Sequence, residues 1–273
     1  MPSFFRIILI FIIYLCPAAG RTEECKNHLQ TTINPISIDF VIRDLARLPN
    51  TKGEFETTVE YEARLRSLIG SIPTKFIVKT GIDPNQIDYD ADTKILSIKS
   101  YAIDNTNTRY DDLFGYGTST YGKIRYVRAP PIDIVISETE KDVGAYKGTN
   151  SFGANIMVRK IKRSTKVIFD RFAEYNDSLF FSSSSLAHSM LHIIVQFPDT
   201  APGIARTMKA TMQAALVIAP KAPYYAKGKV NWAAPTIQFP RDIDETLEVV
   251  IADIQCVLLT DQTGLVFAAI PTR

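Results

Sequence analysis

Three aspartates at alternate positions, Asp88, Asp90 and Asp92, form the most metal-like spacing in the chain. Hard cations such as calcium take several carboxylate oxygens from such a run. The calcium loop also needs glycine at its sixth position and a bidentate glutamate at its twelfth, where Thr93 and Lys99 stand. A turn explains the aspartates better, because aspartate bonds nearby amides and tolerates turn conformations. The three histidines are His28, His188 and His192. The last two are four apart, a spacing that shares a helix face, with Ser184, Ser185 and Ser189 nearby. No G-x-S-x-G elbow accompanies them, nor an H-E-x-x-H pair, and "LHIIVQF" reads as a strand. Gly115-x-Gly117, followed by Gly122, lacks the helix that would receive a phosphate. It reads as a loop whose Tyr110, Phe114, Tyr116 and Tyr121 offer a contact surface. No cofactor or metal is expected.

The stretch "GEFETTVEYEARL", Gly53 to Leu65, is rich in carboxylates that each have a structural use. Thr57 followed by Glu60 spells a capping box. Glu54 and Glu56 lie just before the first turn, where the helix dipole favours negative charge. Glu62 and Arg66 are an i,i+4 pair in the better orientation. Val59, Tyr61, Leu65, Leu68 and Ile69 supply an apolar stripe for docking on a sheet, and Gly70 is a natural stop. A hydrolase of an envelope polymer remains the rival reading. It would need two carboxylates roughly 5 to 9 Å apart in a cleft, with Asp111 or Asp112 meeting a distant partner. The basic residues Arg159, Lys160, Lys162, Arg163 and Lys166 crowd one segment. They suit either an anionic envelope ligand or a hairpin that resists edge-to-edge pairing.

These groups must be positioned mainly by strands. Ser37 is a candidate cap for a helix through Ile38, Val41, Ile42, Leu45 and Leu48, although "ISIDFVI" also fits a strand. From Lys75 on, the period is two: "TKFIVKT", "QIDYD" and "KILSIKS", then "IRYVRA", "IDIVISETE", "GANIMVRKIKR", "TKVIFDRF" and "HIIVQF". Asp199 and Thr200 before Pro202 signal a helix start, with Ile204, Met208, Met212 and Leu216 on one face. "LEVVIADIQCVLLT", a turn at Asp261–Gly264, and "LVFAAI" make the clearest hairpin. No alternating strand–helix rhythm supports a parallel sheet.

The chain has 273 residues, with 31 lysines and arginines against 29 aspartates and glutamates. Near-neutral charge gives no global steering toward nucleic acid, and 46% apolar residues exclude a disordered chain. Arg6, the apolar run Ile7–Cys16, Pro17 and then Ala18-Ala19-Gly20 have the layout of a secretory signal over 1–20. The run is too short to span a bilayer. Cleavage after Gly20 would leave Cys25 and Cys256, and an even count in an oxidising compartment favours a disulfide between them.

The segments "GEFETTVEYEARL", "YKGTNSFGA" and "ADIQCVLLTDQTG" together resemble a pattern in uncharacterised exported proteins of Gram-negative bacteria. The resemblance implies an envelope protein and transfers no functional residue. The expected fold is α+β, predominantly antiparallel sheet with two or three helices packed on one face. A boundary near Ala129-Pro130-Pro131 would separate a region 21–130 from a β-rich region 131–273, unless 21–273 is continuous. The expected function is a non-enzymatic periplasmic or secreted binding or structural module. Its partner would be an anionic envelope component or another envelope protein, with no nucleic acid and no membrane span after cleavage.

Overall fold

The computed structural model describes residues 23–49, 52–99, 102–103, 132–149, 153, 155–170, 193–232 and 235–272. The signal-like residues 1–20, the prolines at 130–131, His188, His192, the serines beside them, and the aspartates and glycines of 111–122 lie outside these. The fold is a β-dominant α+β architecture.

Nine strands are described: β1 (Phe76–Thr80), β2 (Ile87–Asp90), β3 (Ile95–Lys99), β4 (Ile132–Thr149), β5 (Asn155–Asp170), β6 (Ile193–Phe197), β7 (Gln213–Trp232), β8 (Arg241–Thr260) and β9 (Val266–Pro271). The helices α1 (Ile38–Leu45), α2 (Thr58–Ile69) and α3 (Pro202–Thr211) accompany them, with a further helical turn at 23–26 and a 3-10 turn at Pro84–Gln86. The large sheet runs β1-β7-β8-β5-β4, with β9 also on β8, and a smaller sheet runs β2-β3-β6. Pairing of β1 with β7 and of β3 with β6 makes the early and late parts of the chain share both sheets.

The described strand pairings are antiparallel, as expected, with one exception. β5 and β8 run parallel over Arg159–Phe169 and Arg241–Ile251, so the large sheet is mixed. The connection between them carries β6, α3 and β7, which is long enough for the crossover a parallel pair requires. β7, twenty residues long, carries no clean strand period in its sequence. Pro220, Pro223 and Gly228 disrupt its alternation, and its ladder with β8 shifts register between Pro220 and Tyr225. The face drawn through Ile204 and Leu216 is also corrected. α3 ends at Thr211, Leu216 belongs to β7, and Ile204 is exposed. The helix start signalled by Asp199 and Thr200 before Pro202 is observed: α3 begins at Pro202, with Ala201 as its N-cap and no side-chain cap bond.

The main core lies on one face of the large sheet. Phe76 and Val78 of β1, Leu216 and Ile218 of β7, and Val250, Ala252 and Ile254 of β8 meet Val41, Ile42 and Leu45 of α1. Ile87, Leu96 and Ile98 of the small sheet and Ala205 of α3 complete it. Each such aliphatic side chain contributes about 1.5–3 kcal/mol on burial. Ser37 does cap α1, accepting from the Asp39 amide. α2 starts on the full capping box: Thr57 Oγ1 accepts from the Glu60 amide at 3.2 Å and Glu60 Oε2 from the Thr57 amide at 2.8 Å. Its stripe docks only in part. Leu65, Leu68 and Ile69 pack against the core, whereas Val59 is exposed, and the ion pair joins Arg64 to Glu56 rather than Arg66 to Glu62.

On the opposite face sits the disulfide Cys25–Cys256, with Cα atoms 5.8 Å apart, among Ala215, Val217, Leu258 and Val266. Simple parity would place Cys256 with Val250, Ala252 and Ile254. A bulge intervenes: Val217 pairs with Cys256 and Ile218 with Ile254, so Gln255 is the extra residue and the faces exchange. Residues 30–36 then run along β9 and β1 through bonds such as Ile33 N to Gly264 O and Ile36 N to Ile77 O, both 2.9 Å. Gly264, at φ +85°, passes so close to the Ile33 carbonyl that a β-carbon would collide with it.

Candidate functional site

β4, β5, β7 and β8 continue well past the core as a four-stranded extension. From Asn155 to Lys166, β5 alone runs about 40 Å at the usual rise per residue. Alternation divides the basic cluster between its two faces. Arg159 and Arg163 point to one side, and Lys160, Lys162 and Lys166 to the other.

The arginine side is closed by charge pairing. Arg163 has a side chain only 7% exposed; its Nη2 lies 2.5 Å from Glu140 Oε1, and its Nε lies 3.6 Å from Glu138. Its Nη1 reaches 4.0 Å from Glu245, which is fully buried and accepts from Thr165 Oγ1 at 2.5 Å. Arg241 also binds Glu140, and Arg159 binds Asp142 at 2.7 Å. The Arg163 hydrogen bond holds the Glu140 carboxyl below its ordinary range. For Asp142 the Gly144 amide does so first, then Arg159. These bonds favour the charged form of both carboxylates, the opposite of the displacement that suits a general acid.

The other side is open and lysine-rich. In register across it stand Lys141 of β4, Lys160, Lys162 and Lys166 of β5, and Lys227 and Lys229 of β7. Among the described residues of these strands, only Asp242, Asp244 and Glu248 of β8 oppose them, six lysines against three carboxylates. Lys166 is taken by Asp39 of α1, and Lys227 lies 3.2 Å from Glu248. Lys160 sits over the Tyr146 ring, 5.3 Å from its centroid, while the Tyr146 hydroxyl donates to Asp242 at 3.4 Å. Burial and then Asp242 push the Tyr146 phenol up. Lys141, Lys160, Lys162 and Lys229 form no ion pair with a carboxylate of the described residues. A polar depression of about 290 Å³ is lined by Lys162, Lys229, Asp244 and Thr246, together with Arg163 and Glu245.

Sequence reasoning named three of the six lysines. Lys141, Lys227 and Lys229 escaped it, although Lys227 and Lys229 carry the same alternate spacing as Lys160 and Lys162. Alternation, rather than crowding, is the signal for a shared strand face. The three aspartates behave as a turn: Asp90 Oδ1 accepts from the Asp92 amide at 2.9 Å and the Thr93 amide at 3.2 Å. Among the described residues no three His, Cys, Asp or Glu side chains converge as a metal site, and no helix is long and apolar enough to cross a membrane. Comparison of the chain with protein-family models, curated proteins and solved structures yields no significant match.

Proposed function

We propose that this chain is an exported, non-enzymatic binding module that docks on an anionic component of the cell envelope through the lysine face of its long sheet. The supporting observation is the unequal division of charge: six lysines against three carboxylates on the open side, and close pairing on the other. Unpaired lysines on a rigid sheet hold their charge without further ordering, which suits a repeating or planar anionic partner. Export rests on the signal-like N-terminus and accords with the disulfide, a bond that persists in oxidising compartments. Two or three helices on one face of the sheet leave the extension free for contact. The test is retention of the oxidised protein at low salt on heparin resin and on phosphatidylglycerol-containing vesicles. Wild type should be retained on at least one and released by salt, and Lys160→Glu/Lys162→Glu should lose retention on it. Failure of wild type to bind either surface would remove the reading.

A further inference from the structure

Both long hairpins turn at the same end of the sheet, because β5 and β8 are parallel and begin there. The β7–β8 connection is tied to β5 by the Arg159 amide donating to the Pro240 carbonyl at 2.9 Å. Within it, Thr236 and Phe239 exchange backbone hydrogen bonds of 3.1 Å, closing a tight turn that holds its side chains outward. Three large apolar side chains protrude at this end: Met157 is 59% exposed, Ile237 60% and Phe239 71%. The parallel register begins at the Arg159–Arg241 pair, and Met157 and Phe239 each lie two residues before their strand's member of that pair. Lys147 is the β4 partner of Met157, and Lys160 lies three residues further along β5.

Resting on the reading above, we infer that this end of the sheet inserts Phe239, Ile237 and Met157 into the headgroup region of an anionic lipid bilayer, with the adjoining lysines on the phosphates. Three protruding side chains are too little for a stable protein interface, which buries about 800 Å² per partner. None of the three lines the grooves seen among the described residues. A bilayer asks for neither area nor shape complementarity. A modest apolar anchor joined to a basic patch is the combination that gives stable but reversible attachment. Lys147 and Lys160 stand about a Debye length or less from the apolar tip, so they feel the charged surface once the tip is seated. An anionic polysaccharide would engage the lysines and leave the tip idle.

The experiment compares wild type, Ile237→Ser/Phe239→Ser and Lys160→Glu/Lys162→Glu on three surfaces: phosphatidylcholine vesicles, the same vesicles with phosphatidylglycerol, and heparin resin. The altered side chains are solvent-exposed, and unchanged melting curves establish that each variant is folded. Wild type should sediment with the anionic vesicles and much less with the neutral ones. The tip variant should bind the anionic vesicles at least about tenfold more weakly, in line with losing one buried aromatic and one aliphatic anchor, while any heparin retention stays unchanged. Equal vesicle binding by the tip variant, with loss in the lysine variant, overturns insertion and leaves the anionic-docking reading standing. Retention on heparin but not on vesicles overturns the lipid assignment alone. Binding to neither surface overturns both.

Discussion

β8 passes through two environments, and the contrast divides the molecule. From Val249 to Thr260 all residues but Gln255 are buried, so the strand is covered on both faces. From Arg241 to Glu248 burial is partial and alternating, and the neighbours are charged. The inner half is held by apolar packing and a covalent tie, with α1, the small sheet and the Cys25 segment upon it. In the outer half, ladder hydrogen bonds and one buried ion network maintain the sheet while its other face is left to solvent. Stability is concentrated at one end and surface chemistry at the other.

The largest effect should come from cutting the tie in the inner half. The Cys25–Cys256 bond closes a loop spanning 231 positions, for which chain entropy gives about 5 kcal/mol, an upper value because strain and residual denatured structure subtract. Reduction, or Cys25→Ala/Cys256→Ala, should lower the melting temperature by several degrees in scanning calorimetry. Thiol titration of denatured, unreduced protein should find neither cysteine reactive. Two reactive thiols in freshly isolated protein would sink the bond.

Next comes the buried charge network of the outer half. Arg163→Ala removes a cation 4.0 Å from fully buried Glu245 and one of the two arginines that bind Glu140. Removing one partner of a buried ion pair costs about 3–5 kcal/mol, an upper value here because Thr165 still donates to Glu245 and Arg241 still binds Glu140. Urea unfolding should show a midpoint well below wild type. A loss under about 1 kcal/mol would mean that water or rearrangement already solvates the group, and that the two halves differ less than their burial suggests.

A smaller effect is expected at α2, which has no fully buried residue. Thr57→Ala removes one half of the capping box and should cost about 1 kcal/mol, read as a shift of the urea midpoint. Glu54→Gln should be nearly silent, since Glu54 is exposed and takes no part in the box. Loss of binding in Glu54→Gln without loss of stability would give this stretch a functional role instead.

What could be read from the sequence tracked how locally each feature is determined. The capping box, the Asp90 turn and the hairpin at Asp261 are short-range, and residue types at fixed offsets suffice for them. The cystine was legible from cysteine count, yet the face of Cys256 was not, because the bulge at Gln255 shifts parity without a glycine or proline to mark it. The parallel β5–β8 pair is a long-range choice that leaves no periodic trace in either strand. In the candidate site the crowding of Arg159 to Lys166 was visible. Its division into a paired arginine side and an open lysine side follows from alternation plus the hairpin partner β4 and two strands distant in sequence, of which β7 does not alternate cleanly.

The smallest expected effect on stability is also the sharpest test of the division. Lys160→Glu/Lys162→Glu reverses two charges on the open side of the outer half. Both residues are exposed and neither forms an ion pair with a described carboxylate. Lys160 has its cation–π contact with Tyr146, worth about 0.5–1 kcal/mol at an exposed site, and Lys162 faces Asp244 in register. Exposed charge contacts contribute about 0–1 kcal/mol each, so the melting temperature should move by no more than a few degrees and by less in higher salt. The contrast with Arg163→Ala, at a neighbouring position in the same basic run, then comes from which way each side chain points rather than from its charge. If the double lysine variant were instead as damaging as Arg163→Ala, the open side would be part of the stabilising structure, and a role in docking would lose its physical basis.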